Sequence, residues 1–267
     1  MLKILYIGDI FGKGGRKAVQ KLLPELKKEY SPDYIIGNAE NLAHGHGVTA
    51  KTLQEMTDAG IDFFTSGNHI WGNGAVHDIF KEEKFPLIRP ANYPPGTPGK
   101  GHMLVRFGKH NLLIINLMGR LFMTGGMLEC PFRGLDAILD EYKNEKLSGI
   151  FIDFHAETTA ESCSFGFHAD GRVSAIVGSH THVPTADERI LPKGTAYITD
   201  TGMVGGLNSS IGFDPATTVP DFITQMPKRH TIIETGAMVF NAVLIEINPK
   251  TTHATSIQRI QRVVDVS

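Results

Sequence analysis

The chain has 267 residues, enough for one domain and at most two. Hydrophobic residues make up 41% and charged residues 20%, which excludes a disordered chain. Its 26 Lys and Arg against 28 Asp and Glu give a formal charge of −2, so no global basic field exists to grip duplex nucleic acid non-specifically.

The first half alternates strand and helix. Residues 3–8 form a short, nearly all-apolar run, as expected of a strand buried on both faces rather than a leader peptide. Residues 14–30 carry Val19, Leu22, Leu23 and Leu26 at helical spacing, with Pro24 expected to kink or divide the helix. A second strand is expected at 33–37. A helix follows at 49–59, capped by Thr49 and stopped at Gly60, and then a third strand at 62–66. This β-α-β-α-β order predicts a parallel sheet covered by helices.

The middle changes character. Residues 86–101 are rich in Pro and Gly and read as a loop. Residues 103–107 and 111–117 resemble a hairpin, followed by a helix at 135–146 and a strand at 149–154. A helix at 159–170, weakened by Gly166, leads to a strand at 173–178. Further strands are expected at 195–199, 237–247 and 255–264, with a long functional or interface loop at 208–230. The most apolar stretch, 112–123, is broken by Asn116, Gly119 and Arg120 and falls short of the roughly 20 residues a membrane span needs. Cys130 and Cys163 are too few for a disulfide framework or a thiolate cage and suit a reducing, cytoplasmic compartment. The economical reading is one domain over 1–267 with two packed sheets.

Five predicted strands end in polar groups, usually beside a glycine. They are Gly8-Asp9, Gly37-Asn38-Ala39-Glu40-Asn41, Gly67-Asn68-His69, Asp153-Phe154-His155 and Gly178-Ser179-His180-Thr181-His182. The carboxyl ends of parallel strands share one edge, where ligands bind, so these groups should converge. Asp9, Glu40, Asn68, His155, His180 and His182 offer only oxygen and imidazole nitrogen, a donor set that suits Mn, Fe, Zn or Ni. Six residues exceed the three protein ligands of a mononuclear catalytic zinc site and suit two metals. Glu40 is the natural bridge, because two cations need a shared anion between them. His180 and His182, at i and i+2 of an extended segment, share a face and can each serve a different metal. One Asp or His after a strand, taken singly, is more often a turn former or a satisfied polar group. Turn chemistry does not explain three histidines at two strand ends.

Together these motifs resemble the calcineurin-like metallophosphoesterases, and within them the bacterial YmdB-like branch. The resemblance rests on 8–12 (GDIFG), 37–41 (GNAEN), 65–71 (TSGNHIW), 178–187 (GSHTHVPTAD) and 199–205 (TDTGMVG), and spans nearly the whole chain. It implies an α/β fold: a four-layer α-β-β-α sandwich with two central mixed sheets flanked by helices. It implies two divalent or trivalent metal ions, iron, manganese or zinc, with iron or manganese favoured. Asp9, Glu40 and His182 would hold one metal; Glu40, Asn68, His155 and His180 would hold the other. It also implies hydrolysis of a small phosphodiester, with cyclic nucleotides as the substrate class, and admits a homo-oligomer. His69 would assist the leaving group as general acid or transition-state donor. The superfamily's first motif is usually Asp-x-His, but here the third position is Phe11, which cannot ligate; the amide oxygen of Asn41 could fill the vacancy. The bridge, too, is Glu where Asp is more usual.

In this chemistry a hydroxide shared by two cations attacks phosphorus in line with the leaving oxygen. His44 and His46, in Ala-His-Gly-His-Gly, read as a mobile loop near the site, with His46 a candidate substrate contact. Arg120 is a candidate phosphate contact and an equal candidate for an ordinary salt bridge. His77, His102, His110, His230 and His253 read as surface or structural. The competing class is a metal- and nucleotide-binding regulatory protein with incidental hydrolysis. Hydrolysis of an amide or ester fits the Gly-Asn-His motif less well, and a dinucleotide-binding oxidoreductase lacks the glycine fingerprint.

Overall fold

The computed structural model describes residues 1–124 and 126–267. The first part of the chain builds β1 (Leu2–Ile7), a two-residue β2 (Asp9–Ile10), α1 (Gly12–Tyr30), β3 (Tyr34–Asn38), α2 (Ala50–Ala59) and β4 (Phe63–Thr65). β1, β3 and β4 run parallel, with Tyr6 beside Ile36 and Ile36 beside Phe63. α3 (Val76–Glu82) leads through the proline-rich loop to the hairpin of β5 (His102–Phe107) and β6 (His110–Met118). α4 (Pro131–Glu141), β7 (Gly149–His155), α5 (Thr159–Ala169) and β8 (Ala175–Ser179) follow. The last part holds β9 (Arg189–Ile190), β10 (Ala196–Ile198), β11 (Met203–Gly206), α6 (Pro215–Thr224), β12 (Gly236–Ile247) and β13 (Ala254–Val266).

The strands form two mixed sheets. One has the order β2-β11-β12-β1-β3-β4, with β13 also paired to β12; the other has the order β5-β6-β7-β8-β10-β9. Three apolar layers hold the sheets and helices together. Leu2, Ile4 and Tyr6 of β1 point between the sheets, against Ile114, Phe151 and Val177 of the other sheet. The alternate residues Leu5 and Ile7 pack outward under Val19, Leu22 and Leu53 of α1 and α2. Leu135 of α4 and Phe165 of α5 cover the far face of the second sheet, against Leu113, Ile115 and Ile152. Strand periodicity sends successive residues to opposite faces, and both faces are covered, so the strands read as unbroken apolar runs. This is the expected four-layer α-β-β-α sandwich.

Pro24 does not divide α1, which runs unbroken from Gly12 to Tyr30. The carbonyl that loses its donor belongs to Gln20, and both residues lie on the exposed face, where water completes the bonding. The expected loop at 208–230 contains α6, capped by Asp214, whose side chain accepts from the Ala216 N–H at 2.9 Å. α4 starts at Pro131, ahead of its expected start, because a proline at the first helical position sacrifices no intrahelical bond. No helix among the described residues is long and apolar enough to cross a membrane.

Candidate metal centre

The parallel runs of both sheets end at one place. From the first sheet, Asp9 follows β1, Glu40 and Asn41 follow β3, and Asn68 and His69 follow β4. From the second, His155 closes β7, and His180 and His182 follow β8. Ligating atoms of Glu40, His155 and His180 lie within 4.8 Å of one another. Asn68 Oδ1 is 2.9 Å from His155 Nε2, and Glu40 Oε2 is 3.3 Å from the same nitrogen. Asp9 joins through Oδ2, which accepts the His180 N–H at 3.2 Å. His182 joins through Asn41, whose Nδ2 lies 3.2 Å from His182 Nε2 and donates to Glu40 Oε1 at 3.1 Å.

Hydrogen bonds fix the imidazole tautomers. Ser179 Oγ donates to Asp153 Oδ1 at 2.6 Å, so it accepts from His155 Nδ1 at 2.8 Å. The lone pair of His155 Nε2 therefore faces the cluster. His182 Nδ1 donates to the Ile211 carbonyl at 2.9 Å, which likewise frees Nε2. His180 Nε2 donates to Glu157 at 3.0 Å, so its Nδ1 lone pair points at His155 Nε2, 3.1 Å away. Two imidazole lone pairs thus meet across 3.1 Å, an arrangement that asks for a cation between them.

Burial shapes the electrostatics. It pushes the Asp9 and Glu40 carboxyls up, with neighbouring carboxylates adding to the effect. It pushes His155, His180 and His182 down, so all three are neutral at pH 7. Asp9 Oδ1 is buried and has no hydrogen-bond partner among the described residues. An orphaned carboxylate oxygen, converging neutral imidazoles and an all-oxygen-and-nitrogen donor set fit a cation nest.

The backbone is bent to serve this cluster. His180 and His182 both sit at positive φ, 112° and 66°. Asp200 holds that turn: Oδ2 accepts the Thr181 N–H and hydroxyl, each at 2.9 Å, and Oδ1 accepts the Gly202 N–H at 2.7 Å. Gly67 lies so close beneath the cluster that a Cβ would overlap His155 Nε2 and Glu40 Oε2. Phe11 is buried, with its ring 5.2 Å from His182 and 5.1 Å from Phe213. At this position the chain packs an aromatic wall against a histidine instead of supplying one.

A cavity of about 570 Å³ opens over the cluster, lined among others by His46, His69, Glu157, His180 and His182. His69 Nδ1 is 2.7 Å from Asn41 Oδ1, and the His69 and His46 rings lie tilted against each other with centroids 4.2 Å apart. Burial first, then the neighbouring His46, His180 and His182, bring the His69 imidazole down to about 4. The Asn41 amide nitrogen, not its oxygen, faces His182; a half-turn of the amide exchanges them. Arg120 is exposed and does not line this cavity; its backbone N–H donates to Glu161.

Sequence reasoning left four residues without a role. Asp153 accepts from Tyr6 at 2.7 Å, Asn38 at 3.1 Å, Thr65 at 2.5 Å and Ser179 at 2.6 Å, and so orients His155 from below. Ser179, Asp200 and Glu157 are the others. A carboxylate inside the apolar run of β7 is the one signal that pointed to Asp153.

The family model described as "YmdB-like protein" matches residues 5–260. The 2′,3′-cyclic-nucleotide 2′-phosphodiesterase of Bacillus subtilis (strain 168) is 45% identical over 97% of this chain and 96% of its own. The crystal structure of a hypothetical protein from Thermus thermophilus superposes with a TM-score of 0.90 at 37% identity, covering 98% of this chain and 99% of that one. A Mycoplasma pneumoniae structure described as a novel phosphatase superposes with a TM-score of 0.92 at 34% identity, covering 99% and 94%. The chain belongs to the YmdB-like family, a branch of the calcineurin-like metallophosphoesterases, and is a hydrolase of that kind.

Proposed function

We propose that the chain, acting as one cytoplasmic domain, is a dinuclear-metal phosphodiesterase that opens cyclic nucleotides, 2′,3′-cyclic nucleotides first among them. The observation that carries this reading is the convergence of the His155 and His180 lone pairs beside Glu40, with Asp9 Oδ1 left unpaired. Asp9, Glu40 and His182 would hold one metal, with Asn41 beside them keeping its Oδ1 on His69 Nδ1. Glu40, Asn68, His155 and His180 would hold the other, and iron or manganese suits these donors. When bound, the pair supplies positive charge for the phosphoryl oxygens and a water of lowered pKa.

The protein's own contribution is orientation and a proton. Ser179, Glu157 and the Ile211 carbonyl hold the three imidazoles in their ligating tautomers. Asn41 Oδ1 can only accept, so His69 Nδ1 carries the proton between them and Nε2 is bare in the neutral ring. His69 donates only as the imidazolium. A bound phosphodiester anion favours that form by countering the burial that disfavours its charge. Water adds to phosphorus through its oxygen and releases a proton to solvent, the P–O2′ bond breaks, and the proton on His69 goes to O2′, leaving a 3′-phosphomonoester.

The test is hydrolysis of 2′,3′-cyclic AMP with added Mn²⁺ by wild type, Glu40→Gln and His69→Ala. The expected outcome is turnover by wild type, background rate in Glu40→Gln, and a loss of about a hundredfold or more in His69→Ala with its metal retained. Wild-type protein that binds two metals but leaves the diester intact would transfer the site to the regulatory binding class.

A further inference from the structure

A second cavity, about 740 Å³, adjoins the one over the metal cluster. The two share a wall made of His44 and Phe213. A small-molecule site typically occupies about 300–1,000 Å³, so the first cavity alone accommodates a mononucleotide. The second is surplus to that substrate. Arg229, His230, Thr231 and Glu234 complete the part of its lining that matters here.

An aromatic series leads from the metal cluster into it. Phe11 lies 5.2 Å from His182, Phe213 lies 5.1 Å from Phe11, and His230 lies 5.4 Å from Phe213. The far wall is braced. His230 Nε2 donates to Asp221 of α6 at 2.6 Å, and Asp214, the cap of α6, donates its N–H to the Thr231 carbonyl at 2.8 Å. His44 stands on the opposite wall at a φ of 54°, and Gly45 and Gly47 beside it also adopt positive φ. That turn delivers His46 to the first cavity alone and His44 to both. Arg229 is exposed and makes no ion pair among the described residues, so its guanidinium is free for a phosphate.

From this we infer that the second cavity is a nucleotide subsite, and that the substrate is an oligoribonucleotide end carrying a 2′,3′-cyclic phosphate. The terminal nucleoside lies in the first cavity with its cyclic phosphate at the metal cluster. The phosphate on its 5′ side meets Arg229, and the preceding base stacks against Phe213 and His44. Stacked bases and a single guanidinium recognise a single-stranded end, which needs no basic field over the whole molecule. The inference rests on the phosphodiesterase reading above.

The test compares 2′,3′-cyclic AMP with the adenosine dinucleotide ending in a 2′,3′-cyclic phosphate, using Mn²⁺-loaded wild type, Arg229→Ala and His44→Ala. The readout is the ratio of kcat/KM for dinucleotide over mononucleotide. It should be about tenfold or more in wild type, since one further stacked base together with one guanidinium–phosphate contact is worth at least that, and should fall severalfold in each variant. A wild-type ratio near one, or a ratio that neither substitution changes, overturns the subsite. If neither compound is turned over, both are intact ligands, and the same ratio is read as Kd by calorimetry. A tenfold preference lost in Arg229→Ala then sustains the subsite while the phosphodiesterase reading falls; equal Kd values overturn the subsite as well.

Discussion

A methyl group at Gly67 has nowhere to go. The φ here is −156°, outside the left-handed region, so the glycine is not required for a positive φ. It is required because His155 Nε2 and Glu40 Oε2 occupy the volume of its missing Cβ. Gly67→Ala should therefore displace two candidate ligands at once while leaving the backbone path intact. The expected result is a loss of metal affinity of at least about tenfold, with far-UV circular dichroism unchanged. Metal content after dialysis is the measurement, and a full complement would show that the nest relaxes around the methyl. The glycines beside the polar strand ends were visible in the sequence, but their reason was not. Spacing along the chain does not reveal that β4 passes beneath a histidine from the other sheet. For the same reason Asp153 kept its purpose hidden: its partners Tyr6, Asn38 and Thr65 stand 147, 115 and 88 residues away.

Elements whose ends carry their own chemistry were legible. α2 begins at a reciprocal pair, in which Thr49 Oγ1 accepts the Thr52 N–H at 3.1 Å and Thr52 Oγ1 accepts the Thr49 N–H at 3.0 Å. It ends at Gly60, whose φ of 106° suits only glycine well. Both ends could be read from the sequence because capping is local. α6 was missed because its apolar residues do not face a core: Val219, Phe222 and Ile223 are exposed and Thr218 is the one buried residue. A periodicity search finds helices by their buried stripe, and this helix lacks one. The Thr49 cap can be tested separately from the site. Thr49→Ala should cost about 1 kcal/mol of stability, measured by urea denaturation with an unchanged m-value. A loss near zero would mean that packing under Leu53 and Met56 holds the helix start without its cap.

The whole molecule brings together four buried carboxyls, Asp9, Glu40, Asp153 and Asp200, and the imidazoles of His69, His155, His180 and His182, all desolvated. Without metal their pH dependences oppose one another. Burial raises the carboxyls, so the folded chain holds protons that the unfolded chain, with ordinary values of 3.8 and 4.5, has already released. Their contribution to stability is complete below those values and is lost as pH rises through the raised folded values. Burial lowers the histidines, so the unfolded chain holds the extra protons, and their contribution is lost as pH falls below the ordinary 6.5. Between about 4 and 6.5 the two trends offset each other. Above 6.5 the histidines become neutral in both states and the carboxyls dominate the slope. Chelated protein should therefore melt a few degrees lower at pH 8 than at pH 6.5. Cations in the nest keep the carboxylates ionised in the folded state and remove that slope. Mn²⁺ at a hundred times its Kd should also add about 2.7 kcal/mol, a rise of roughly 5–10 °C in Tm for a chain of this size. Scanning calorimetry at both pH values, with chelator and with Mn²⁺, separates the two effects. A chelated Tm that rises between pH 6.5 and 8 would overturn the raised carboxyls, and a slope the same with and without Mn²⁺ would mean that the carboxyl cluster is not where the cation binds.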